Sequence, residues 1–271
     1  MHENNKKMVH IGFYFLWHLS HPCTISQIYA GVKAGLGIPN LTTGSKSTPL
    51  SEDYSSRLGF YGGIVTEFQT NNWFGLRAEI NYSSQDGKRE GMQALPLSPE
   101  MEQLWQILPG FGITPDEYMY ADIKSEAILN YLEIPIMAKS TFSIGSRINF
   151  YLQAGPYLGL MLNAKNVTSG SSSIYIDKEG NLSVDAILQQ AGMPLIGKQP
   201  FDHNEDITTD IHRFNVGGQG AIGFGLMMDS GKFFIEGGGN YGFIPFQKDD
   251  ANGTNNTGAG TVTIGYLLQL K

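Results

Sequence analysis

Few stretches of this 271-residue chain carry residue types and spacings from which chemistry could be built. Gly218-Gln219-Gly220-Ala221-Ile222-Gly223 matches G-x-G-x-x-G. A dinucleotide site needs a strand before that run and a helix after it, so that the helix N-terminus faces the pyrophosphate. Here a period-two alternation continues to Met228, so strand wall with small residues is expected instead. Lys248-Asp249-Asp250-Ala251-Asn252-Gly253 resembles part of a calcium loop. In that alignment Lys248 and Ala259 fall at the first and twelfth positions, where acids are required, so an exposed loop is expected. After residue 26 the histidines are His203 and His212, and Asp206, Asp210 and Ser230 could supply an acid and a nucleophile. No spacing converges them on one rim, so no catalytic residue, cofactor site or metal site is predicted, and the chain is not read as an enzyme. The remaining ionisable set is Lys33, Glu67, Arg77, Glu79, Glu133, Lys139 and Glu236. These are single charges, close to self-cancelling, inside stretches otherwise rich in Gly, Tyr and aliphatic residues. Their natural chemistry is mutual ion pairing in a place short of water.

The elements that must position them are strands. In Arg57–Ser84, Phe60, Ile64 and Phe68 alternate with Tyr61, Val65 and Glu67; after Gln69-Thr70-Asn71-Asn72, Phe74, Leu76, Ala78, Ile80 and Tyr82 alternate with Arg77, Glu79 and Asn81. Successive side chains leave a strand on opposite faces, and two such runs around a short Asn-rich turn form a hairpin. The same pattern recurs over about 28–36, 127–139, 148–163, 214–228, 232–243 and 259–270, giving eight strands. None carries Asp, Glu, Lys or Arg on its apolar parity. Each reaches the ~9–11 residues of a membrane strand. Connections alternate, with short turns after the second, fourth and sixth strands and long loops elsewhere, as in outer-membrane barrels. An even strand number closes an up-and-down barrel with no free edge, which a bilayer requires, and puts both ends on the short-turn, periplasmic side.

The expected fold is therefore an all-β, eight-stranded antiparallel transmembrane barrel with long extracellular loops. Its apolar parity meets lipid and the seven ionisable residues form a structural network filling the lumen. Pro135 and Pro156 interrupt strands, where a bulge or a position at solvent level is expected. The insertion 85–124 should hold a helix, with Ser98 as N-cap, Pro99 at N1, and Met101, Leu104, Trp105 and Leu108 on one face capping the barrel mouth.

Composition agrees. Gly is 34 of 271 residues, well above the ordinary ~7%, and charged residues are 16%, against about 25%. A net charge of −7 argues against a nucleic-acid partner. Residues 1–26 read as an export signal, with Lys6 and Lys7, an apolar run Ile11–Leu19, and Thr24-Ile25-Ser26 before a cleavage site; residues 27–271 are then the barrel. The one cysteine, Cys23, lies in that leader, so the remainder has neither a disulfide nor a Cys-based metal site.

Tyr131–Lys139 (YLEIPIMAK) and Tyr151–Leu162 (YLQAGPYLGLML) resemble the PorT-like outer-membrane β-barrel family of Bacteroidetes. Ile28–Gly37 (IYAGVKAGLG) and Gly265–Leu270 (GYLLQL) look like its first and last strands. The resemblance implies a cell outer membrane location and, for most members, no assigned activity; the family's namesake works in protein secretion. The expected function is a structural or interaction role in the cell envelope, as a lipid-embedded barrel with a filled lumen and as an accessory of secretion. Loops 85–124 and 164–210 are the surfaces offered to protein partners. Two contrasting readings are a soluble lipocalin-like barrel binding an apolar ligand, with Lys33, Arg77 and Glu133 outside, and an outer-membrane enzyme.

Overall fold

The computed structural model describes residues 26–43, 46–249, 251 and 253–270. The predicted export signal, Ser26 apart, lies outside them, as do Asp250 and Asn252 of the calcium-like run. The main strands are β1 (Gln27–Pro39), β2 (Gly59–Gln69), β3 (Phe74–Ser84), β4 (Gly87–Leu95), β5 (Met119–Ile144), β6 (Ile148–Ser169), β7 (Phe214–Met228), β8 (Gly231–Gly242) and β9 (Gly258–Leu270). β4 continues the line of β3 beyond Gln85-Asp86, and both pair with β5, so the two act as one bent wall strand. Every pairing is antiparallel. The order β1-β2-β3-β5-β6-β7-β8-β9 returns to β1, closing an eight-stranded barrel.

Alternation sets the sidedness. Val32, Ile64 and Ile136 are 61%, 59% and 57% exposed on the outer face, while Arg77, Glu133 and Lys33 are 0%, 1% and 3% exposed within. A lipocalin-like barrel needs the reverse, so that alternative is excluded. Aromatic residues ring the outer face at both ends. Phe142, Phe150 and Phe224 stack across neighbouring strands at the short-turn end, with centroids 6.2 and 5.4 Å apart. Phe60 and Tyr82 meet at 6.1 Å toward the long-loop end.

The prolines differ from expectation. β5 holds one register with β3 on both sides of Pro135, and one register with β6 on both sides of Pro156; only the ladder bonds between are skipped. Neither proline sits in a bulge, and Pro156 faces outward in the middle of the wall. The missing N–H costs a local bond, which the closed sheet absorbs. The bulge lies elsewhere: Asn130 pairs Asn163 while Tyr131 pairs Met161, so Leu162 is the extra residue.

Above that bulge β4, β5 and β6 run on past the barrel as an extracellular sheet, joined by short strands Ser55–Ser56 and His203–Asp206. Helix α1 (Pro99–Ile107) forms where expected, although the Ser98 side chain makes no capping bond. Its Trp105, with Leu108 just beyond, packs against Ile174, Ile176 and helix α2 (Val184–Gln190) in the other long loop. The two loops thus bury their apolar faces on each other, and the α1 face does not cap the mouth as expected. The mouth is closed instead by Leu41, Leu129, Tyr131, Met161, Ile211 and Phe246.

Candidate functional site

The ionisable residues predicted from alternation all lie inside the barrel, and the strands bring them together at three levels. Nearest the short turns, Glu67 on β2 lies between Lys139 on β5, at 2.7 Å, and Lys232 on β8. The two ammonium groups rest over aromatic faces, Lys139 at 3.9 Å from the Tyr151 ring and Lys232 at 4.0 Å from Tyr29. This level closes a vestibule of about 230 Å³ that opens toward the short-turn end.

One level up, the Arg77 guanidinium is fully enclosed. Its Nε donates to Glu79 at 2.6 Å, its Nη1 lies 3.3 Å from Glu236, and its carbon sits 4.6 Å over Phe234. Lys33 bridges the same two carboxylates, at 2.6 Å to Glu79 and 2.9 Å to Glu236. Glu236 further accepts from the Tyr151 hydroxyl at 2.9 Å, from Thr263 at 3.2 Å and from Gln153 at 3.3 Å. Such contacts offset the cost of burying Glu236 and Lys33, while Arg77 Nη1 meets Glu236 by charge without a hydrogen bond.

The third level differs. Glu133 is 1% exposed, yet neutral groups hold it: Gln85 Nε2 at 2.9 Å, Asn240 Nδ2 at 2.9 and 3.0 Å, and the Ser83 hydroxyl. Between it and the cations, Tyr61 accepts from Asn81 and from Gln219, each at 3.0 Å. With Lys232 included, the lumen holds Lys33, Arg77, Lys139 and Lys232 against Glu67, Glu79, Glu133 and Glu236, equal numbers of each sign. Lys232 escaped the sequence analysis because it follows the turn Asp229-Ser230-Gly231, but it shares the parity of Phe234 and Glu236.

The other candidates disperse. The G-x-G-x-x-G run lies wholly within β7. Its small residues make room for rings, since a Cβ on Gly223 would fall 2.4 Å from Tyr151. His203 is exposed in the extracellular sheet, 3.9 Å from Glu205. His212 Nδ1 lies 3.0 Å from the Pro245 carbonyl oxygen. Ser230 sits at the opposite, short-turn end, 3.2 Å from the Tyr266 hydroxyl, so no base, acid and nucleophile meet there. Asp249, in the calcium-like run, accepts from its own loop at Ala251 N, 2.9 Å away.

A family model described as outer membrane protein beta-barrel domain matches residues 20–248. No curated protein matches. Among solved structures, the chain is similar to Ail, the attachment invasion locus protein of Yersinia pestis, in complex with the heparin analogue sucrose octasulfate. That likeness has 11% identity over 90% of this chain and 99% of that one, with a TM-score of 0.35. Neisserial surface protein A has 15% identity over 90% and 97%, with a TM-score of 0.37. OprG from Pseudomonas aeruginosa has 9% identity over 90% and 95%, with a TM-score of 0.40.

Proposed function

The chain belongs to the outer membrane protein beta-barrel domain family and is a barrel of the outer membrane, and from that premise we propose a closed anchor that holds a structured platform outside the cell. Residues 1–26 act as its export signal. The barrel conducts no ions, and its work is interaction: the two-loop cap and the extracellular sheet engage protein partners of the envelope. The PorT-like segments of the wall point to an accessory role in protein secretion.

One observation carries this reading. Arg77 lies across the lumen with no exposed surface, clamped by carboxylates from β3 and β8. A passage for ions would have to break that clamp, and removing one partner of a buried pair costs about 3–5 kcal/mol. The test is reconstitution of the full chain in a planar bilayer. Folded wild type is expected to show no steady conductance, whereas regular single-channel steps would overturn the proposal. For the platform, a photo-crosslinker placed at Lys178 in the cap should capture an envelope protein in living cells. A crosslinker at Phe142, in the lipid-facing wall, should not capture it.

A further inference from the structure

Beyond the anchor role, one cleft has the composition of a binding site. It lies on the inner face of the extracellular sheet, roofed by the loops around 50–54, 207–211 and 246–249, with a volume of about 370 Å³. Ligand clefts commonly begin near ~300 Å³. Its apolar surface comes from Tyr54, Ile207, Ile211 and Phe246, which also pack on the cluster closing the barrel mouth.

Set into this surface are polar groups of two opposed kinds. Arg89 on β4 has its guanidinium 4.8 Å over the Tyr54 ring and donates from Nη1 to the Leu50 carbonyl at 3.0 Å. Its Nε has no hydrogen-bond partner among the described residues. Among the described residues it forms no ion pair, unlike Arg57 and Arg77. Four residues along the same strand, Gln93 is 5% exposed. Gln93 Nε2 donates to the Ile123 carbonyl at 2.6 Å, leaving Oε1 an acceptor with no partner among the described residues. Asp210 and Asp249 add two carboxylates to the lining. A buried polar atom without a partner is costly, so a ligand that brings a donor to Gln93 Oε1 as it enters the cleft gains the bond that the protein leaves unmade.

We propose that this cleft binds a short apolar peptide with free ends. Its side chains lie on Ile207, Ile211 and Phe246. Its carboxylate takes the free face of Arg89, and its N–H groups and ammonium end donate to Gln93 Oε1 and the two aspartates. The dimensions agree. Positions four apart on a strand are at most about 13 Å apart, and an extended tripeptide spans about 10 Å. An anionic amphiphile would satisfy Arg89 but would meet Asp210 and Asp249 unfavourably, so a zwitterion is the better match.

The test is calorimetric titration of trileucine into the full chain in nanodiscs, with heat-modifiable gel migration confirming the folded barrel in each variant. Saturable binding is expected, weakened about tenfold or more when the peptide is C-amidated or in Arg89→Gln, as for loss of a charge-assisted bond. Gln93→Leu, which removes the acceptor together with the Nε2 bond to the Ile123 carbonyl, should weaken binding as well, with the barrel still folded by gel migration. No saturable binding to folded wild type would overturn the proposal. So would equal affinity for the amidated peptide and in both variants, which would mean simple apolar partition. Laurate binding as tightly as trileucine would also overturn it. Bilayer conductance is a separate readout, so either proposal can fail without the other.

Discussion

Strand β5 passes through two environments, and its halves follow opposite rules. Below the bulge at Asn130 and Tyr131, Ile134 and Ile136 point outward and Glu133, Met137 and Lys139 point inward. Above it, Asp122 and Lys124 point outward, and Ile123, Ala127 and Leu129 are buried. The backbone and period are the same, but the greasy face changes sides. In lipid the apolar alternates are solvated by the bilayer, leaving the polar ones to satisfy each other inside. In water the usual order returns, with a dry core beneath a charged face. The lumen is therefore held by ion pairs and amides, and the extracellular half by packing.

The sharpest way to break this comparison is to remove one charge from each half. Arg77→Ala leaves Glu79 and Glu236 sharing Lys33, and should cost about 3–5 kcal/mol and impair barrel assembly. Lys124→Ala removes a half-exposed pair with Glu126 at 2.9 Å and should cost under about 1 kcal/mol. Denaturant titrations in lipid vesicles measure both. Equal effects would mean that the lumen is wet.

Next in size is a reversal of the outer face. Ile136→Lys puts a charge against hydrocarbon and should cost about 2–4 kcal/mol. Lys124→Ile, on the same parity above the bulge, should change stability by less than about 0.5 kcal/mol. A smaller effect is expected from Ile187→Val in the cap, about 1 kcal/mol. It should appear as faster proteolysis of the cap, while the barrel's own unfolding midpoint stays in place. Unfolding of both together would make the cap part of the barrel's cooperative unit.

The two halves also differ in what could be read from sequence. The wall was legible because alternation is local and lipid enforces it on every strand: Phe214–Met228 was bounded to the residue, and the ionisable residues stood out on the small-residue parity. Which of them pair was not legible, because Glu67 meets Lys139 and Lys232 at sequence separations of 72 and 165. The extracellular half was poorly legible. β4 lies in the insertion 85–124, and its GKREGMQAL shows no apolar alternation to mark a strand, while α2 has only seven residues. The partner of the α1 apolar face lies some 70–80 residues away in the other loop, so its spacing showed that it would be covered but not by what.

Asp86 stands where the halves meet and gives the smallest and most diagnostic effect. It is 1% exposed, accepts from Leu129 N at 2.9 Å, and faces Arg57 at 2.6 Å. Burial pushes its carboxyl above the ordinary range, and the Leu129 N–H and Arg57 only partly oppose this. The folded state therefore binds its proton at higher pH than the unfolded chain does. Between the ordinary aspartate value, about 3.9, and the raised folded value, the folded state holds more protons. Stability should fall as pH rises through that window and level off above it. Subtracting the same titration for Asp86→Asn isolates this slope from the lumenal carboxylates. A slope of opposite sign would mean that Arg57 outweighs burial. The ion-pair rule of the lumen would then extend past Ser84 into the mouth, and the boundary between the two regimes would lie higher on the strand than the bulge.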